Sequence, residues 1–148
     1  MNKFTAVVKS VHDMEIVTYI TLEVNGVEIM VIKPSIPEWL NVGDRVFFTF
    51  REVSVCVGKS CNGKVSIENR IPATLHSFRK NGSLCELKFE SELGEIVSLM
   101  TEKAFNELEL DAGSKATILL REIDIAIEPY REAISIESFM KTRTKVAN

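Results

Sequence analysis

The chain has 148 residues, 45% of them hydrophobic and 26% charged, with a formal net charge of -3. That composition excludes an intrinsically disordered chain and leaves no global positive field to attract nucleic acid, so any anion site must be local. No stretch approaches the about 20 apolar residues needed to cross a bilayer, and residues 1–10 lack the apolar run and cleavage site of a signal peptide, so a cytoplasmic location is expected.

Taken in chain order, two segments read as copies of one pattern, residues 4–58 and 71–128. Each opens with a short strand that ends in serine, Phe4-Thr5-Ala6-Val7-Val8-Lys9-Ser10 and Ile71-Pro72-Ala73-Thr74-Leu75-His76-Ser77. The first copy continues with strand-like runs over 16–24 and 27–32 around Asn25-Gly26, a pair suited to the positive φ values of a tight hairpin turn. A helical or turn segment over 35–40 follows, then Val42-Gly43-Asp44 and a closing strand into Phe50-Arg51-Glu52-Val53.

Residues 59–66 are polar and glycine-containing and read as a connection. The second copy repeats the order: runs over 83–89 and 95–100 around Ser91-Glu92-Leu93-Gly94, a helical segment over 102–108, then Ala112-Gly113-Ser114 and Leu120-Arg121-Glu122-Ile123. The glycine and arginine are equally spaced in both copies. Residues 130–142 carry Ile134, Ile136, Phe139 and Met140 with imperfect helical periodicity, and read either as a short C-terminal helix packed on a neighbour or as a fraying end. The expected architecture is all-β: a tandem pair of small five-stranded OB-like barrels, each with a short helical turn. The expected division is a first module over 1–60, a linker over 61–65, a second module over 66–129 and a C-terminal segment over 130–148.

Other motifs are weaker. Cys56, Cys61 and Cys85 form an odd set, with the first two too widely spaced for a usual zinc pair, and read as free thiols rather than metal ligands. His12 and His76 each stand alone and read as structural. Gly58-Lys59-Ser60 lacks the upstream glycine of a phosphate loop, and Asn81-Gly82-Ser83 reads as a turn. The basic run Lys141-Thr142-Arg143-Thr144-Lys145 reads as a solvated terminus. No nucleophile elbow, paired catalytic carboxylates or Cys/His arrangement points to an enzyme.

Three pieces of sequence carry a resemblance. Ser66-Ile67-Glu68-Asn69-Arg70-Ile71-Pro72-Ala73 has the shape of a Ser-x-Arg-Asn-like opening, and Leu99-Met100-Thr101 with Leu108-Glu109-Leu110-Asp111-Ala112-Gly113 has the shape of a strand, hydroxyl, short helix and glycine turn. Leu40-Asn41-Val42-Gly43 is a contracted form of that turn, and Arg51-Glu52 and Arg121-Glu122 stand where a Lys followed by Ser or Ala would close each copy. Over residues 2–128 the chain resembles the molbindins and the tandem TOBE- or Mop-like molybdate-binding modules at the end of molybdate-responsive transcription regulators. It departs from them where Glu68 replaces the Arg, where no Ser-x-Arg precedes Asn2, and where Lys33 stands in place of a hydroxyl donor.

The resemblance implies a non-catalytic cytoplasmic protein that binds molybdate or tungstate for storage, homeostasis or sensing, with no organic cofactor. Such tetrahedral dianions need convergent N–H and O–H donors, and Arg supplies a fixed fork. Arg51 and Arg121 are the principal candidates, with Lys33, Ser66 and Thr101 assisting and the amides around Pro34-Ser35 and Glu102-Lys103 available. Family sites form where modules meet, which implies a homo-oligomer, a dimer or larger. Neither membrane association nor specific nucleic-acid binding is expected of this chain. The competing readings are a regulatory or protein-interaction subunit that has lost its anion sites, supported by Glu68, and an oligonucleotide-binding barrel, for which aromatics beside basic residues are sparse.

Overall fold

The computed structural model describes residues 1–60 and 63–131. Cys61 and the expected C-terminal helix, including Ile134, Ile136, Phe139, Met140 and the basic run, lie outside the described residues.

The first half contains β1 (Asn2–Asp13), β2 (Thr18–Val24), β3 (Val27–Lys33), β4 (Arg45–Phe50) and β5 (Cys56–Gly58). The second contains β6 (Asn69–Asn81), β7 (Leu84–Ser91), β8 (Gly94–Thr101), the helix α1 (Glu102–Leu108), β9 (Lys115–Leu120) and β10 (Ala126–Pro129). A single turn of 3-10 helix follows each closing strand, at Glu52–Ser54 and Glu122–Asp124. These strands form two five-stranded antiparallel sheets, ordered β10-β4-β1-β2-β3 and β5-β9-β6-β7-β8.

The repeat read from sequence is repeated in backbone detail. Alternation buries Ala6 and Val8 on β1, and Ile71, Ala73 and Leu75 on β6, while their neighbours Lys3, Thr5, Arg70 and Pro72 face out. The register then shifts between Val8 and Ser10, and between Leu75 and Ser77. At each shift the glycine turn binds the strand: Gly43 N–H donates to Val8 O at 2.8 Å and Gly113 N–H to Leu75 O at 2.7 Å. Both glycines have positive φ, +93° and +90°, a conformation that side chains with a Cβ resist. The extra residue bends the long first strand so that β2 and β4 can both pair with it.

What the repeat does not show is an exchange. β5 leaves the first copy and pairs with β9, Val57 opposite Ile118, while β10 leaves the second and pairs with β4, Ile127 opposite Phe48. The final strand of each sequence copy therefore completes the sheet of the other. Buried side chains from both sheets, including Phe48, Phe50, Phe89 and Ile118, form one apolar cluster. The helical or turn segment expected over 35–40 in the first copy is a turn, closed by Leu40 N–H donating to Pro37 O at 3.1 Å. Pro34 and Pro37 disfavour helical backbone at the residues before them. In the second copy Thr101 caps α1, its Oγ1 accepting from Ala104 N–H at 3.1 Å.

Candidate functional site at the two seams

The strand exchange brings the halves together along two seams related by the internal repeat. At one, Asn69 on β6 reaches β3 of the other half: its Nδ2 donates to Met30 O at 2.8 Å and its Oδ1 accepts from Met30 N–H at 2.7 Å. The amide imitates a neighbouring strand, pairing with both backbone groups of one residue. Its second Nδ2 hydrogen reaches Leu120 O at 3.1 Å. At the other seam Asn2 holds Val97 on β8 in the same way, with bonds of 2.9 and 2.8 Å. Both asparagines are buried, and each partner sits at the matching register position of its copy.

Next to each asparagine lies the 3-10 turn that follows the closing strand. The turn at Glu122–Asp124 packs against β3 and the turn at Glu52–Ser54 against β8. The Glu122 side chain is turned inward, with 9% of its surface exposed, and its Oε1 accepts the backbone N–H of Glu68 at 2.6 Å. At the Asn2 seam the Glu52 carboxylate meets the amino group of Met1, which holds its carboxyl below the usual range. The Tyr19 hydroxyl donates to the Glu68 carboxylate. Burial, that hydrogen bond and the charges of Glu68 and Glu122 push the Tyr19 phenol up to about 12.

The sequence-derived site residues divide between the seams. Arg121, Ser66 and Lys33 belong to the seam of Asn69: Arg121 precedes its 3-10 turn, Ser66 lies in the exposed bend before β6, and Lys33 ends β3. Arg51 and Thr101 belong to the seam of Asn2, Arg51 preceding the 3-10 turn and Thr101 ending β8. Arg121 is engaged within its own turn, its Nε donating to Asp124 Oδ2 at 2.8 Å. Arg51 is exposed. Lys33 is half-buried, forms no ion pair among the described residues, and has its pKa lowered by burial. The Thr101 hydroxyl oxygen is committed to the α1 cap, which leaves its proton free to donate.

The matched registers change one equivalence. Lys33 pairs with Thr18 and Met100 with Cys85, so Lys33 is the counterpart of Met100 and Thr101 that of Pro34. Lysine does not stand in for the hydroxyl. Among the described residues no group of three His, Cys, Asp or Glu is arranged to hold a metal ion. The residues with the clearest structural roles at the seams, Asn2, Asn69, Tyr19, Glu52 and Glu122, are not among the predicted donors. Their signal was the repeat itself, which places an asparagine at the head of each copy and a glutamate after each arginine.

Residues 65–121 match the TOBE domain family. The matched stretch spans β6 to β9 and ends at the arginine beside the Asn69 seam. No curated protein matches the chain. Among solved structures, that of a cytoplasmic molybdate-binding protein, ModG, with molybdate bound, superposes with a TM-score of 0.79 at 18% identity, covering 87% of this chain and 96% of that one. The fold of both repeats is thus shared with a protein of nearly the same extent. The likeness that three short motifs suggested is met at the level of the fold, and by the family match over residues 65–121.

Proposed function

We propose that the chain is a non-catalytic, cytoplasmic oxyanion-binding protein that takes molybdate or tungstate for storage, homeostasis or sensing. The observation that carries this reading is a match to the TOBE domain family over residues 65–121, set in a fold that superposes on a molybdate-binding protein over 96% of that protein's length. The seam adds support from geometry, because the two motif segments that the resemblance assigns to the anion, Ser66-Ile67-Glu68-Asn69 and Arg121-Glu122, meet there through the Glu68 N–H. Arg51 and Arg121 would serve as the charged donors, with Lys33, Ser66 and Thr101 assisting. Each sheet, bent at its first strand, would close as a small OB-like barrel. In this reading residues 1–60 and 66–129 would form the two modules, joined by 61–65. A homo-oligomer, a dimer or larger, would bring further donors to the seams.

Titration calorimetry on protein dialysed free of anions tests this directly. Heat with molybdate and tungstate and little with sulfate is the expected outcome, whereas silence with all three overturns it. Arg51→Ala and Arg121→Ala should each weaken binding by about 1.5–3 kcal/mol for a lost charged hydrogen bond. Sedimentation equilibrium should return a mass above the monomer.

A second reading, a regulatory or protein-interaction subunit without anion sites, draws on one observation. The buried Glu122 carboxylate already occupies the Glu68 N–H, and Glu68 adds a second negative charge at the same seam.

A further inference from the structure

The Asn69 seam contains an anion, and it is the protein's own. The Glu68 amide sits within the Ser66–Asn69 segment and presents a backbone N–H of the kind that would help hold an oxyanion. It donates instead to Glu122 Oε1 at 2.6 Å. Arg121, next to Glu122 in sequence, does not turn to that carboxylate but pairs with Asp124 Oδ2 at 2.8 Å. The charges beside the Glu68 amide are therefore Glu68, Glu122 and Asp124 against Arg121 and Arg70, the Arg70 guanidinium being held by the carbonyls of Gly63, Val65 and Ile67, with Lys33 at the end of the strand on which the Glu122–Asp124 turn packs. Tyr19 donates to Glu68 and leaves its charge in place. The repeat carries the same device, since Glu52 follows Arg51 and takes the Met1 amino group at the other seam.

We infer that Glu122 is an internal competitor for the oxyanion, a residue that sets affinity by holding with its own carboxylate the donor a dianion would need. This rests on the oxyanion-binding reading for the identity of the ligand, and on the seam geometry alone for the residue. A dianion that reaches the Glu68 N–H must displace a carboxylate that is nearly out of water and must then sit beside it, where like charges repel most strongly. Removing the negative charge removes the repulsion, and removing the acceptor as well frees the donor.

The test compares the full chain with Glu122→Gln and Glu122→Ser, titrated with sodium tungstate, sodium molybdate and sodium sulfate. Glu122→Gln keeps an oxygen that accepts the Glu68 N–H and removes only the charge, so it holds the fold. Glu122→Ser vacates the donor. Tungstate affinity is expected to rise at least about tenfold in both variants, and more with Ser than with Gln. Binding by the parent chain with unchanged or weaker binding by the folded variants overturns the inference and leaves the proposed function standing. Silence from the parent with binding by the variants supports the inference and overturns the proposed function for this chain. Silence from all three proteins, with circular dichroism and thermal melts alike, overturns both. Should Glu122→Ser fail to fold, Glu122→Gln decides alone.

Discussion

At one seam Asn69 makes three bonds to backbone, two to Met30 and one to Leu120, whereas at the other Asn2 makes two, both to Val97. Beyond the amides the seams diverge further. The Asn69 seam carries a tyrosine-to-glutamate hydrogen bond and a buried carboxylate bound to backbone; at the Asn2 seam the matching carboxylate meets an amino group. The clamp that pairs one half's first strand with the other half's third strand is common to both copies, and the charged groups around it are not. Backbone pairing between halves is required for either sheet to stay docked, so its residue type recurs. The polar groups beside it differ between the copies because they take no part in that strand pairing.

The largest expected effect breaks the clamp. Asn69→Ala strands the N–H and C=O of Met30 and the C=O of Leu120, and should cost about 3 kcal/mol in urea denaturation, against about 2 kcal/mol for Asn2→Ala, which strands two groups. Equal losses at the two positions would show that the Leu120 bond contributes nothing.

A smaller effect separates the hairpin turns. Gly26 and Gly94 both have positive φ, but a Cβ at Gly94 would lie 3.3 Å from the Phe4 ring of the other half, while one at Gly26 would meet nothing within 4 Å. Gly26→Ala should cost about 1 kcal/mol from backbone strain alone, and Gly94→Ala more, because Phe4 must also give way. Thermal melts of the two variants check the order.

Loss of the α1 cap in Thr101→Ala should destabilise by about 1 kcal/mol, and Pro34, its counterpart in the first copy, begins no helix. If Thr101 also serves the anion, Thr101→Ala will weaken tungstate binding beyond what the lost stability explains.

The smallest effect is in the titration of Tyr19. An ultraviolet difference titration against Tyr19→Phe should place its ionisation near 12, and Glu68→Gln should bring it down. A phenol whose folded pKa exceeds its unfolded value of about 10 contributes stability that is fully present below pH 10. That contribution is lost as pH climbs from about 10 through the folded value near 12. An ionisation near 10 in the parent would show that Tyr19 and Glu68 are not paired in solution.

Much of the fold was legible because its signals are local. Asn25-Gly26 marks a hairpin by the φ values it permits, and the equal spacing from Gly43 to Arg51 and from Gly113 to Arg121 marks the repeat. The alternation along β1 and β6 assigns their buried faces. The helix over 102–108 and the turn at the matching place in the first copy differ through prolines that are also visible in the sequence. Donor selection at the seams was less legible. A tetrahedral dianion favours arginine, a charged donor, over its glutamate neighbour, yet at Arg121-Glu122 the carboxylate is the side chain that turns inward.

By itself the sequence determined the two copies, their strands and their turns, since each follows from spacing within a few residues. Only the tertiary structure decided which sheet receives β5 and β10, and which side of each arginine-glutamate pair faces the interior. The reason is physical: a short terminal strand can satisfy its backbone on either sheet edge, and a side chain's direction depends on partners far away in the chain. Val57 opposite Ile118 and Ile127 opposite Phe48 are pairings that no local pattern distinguishes from their alternatives.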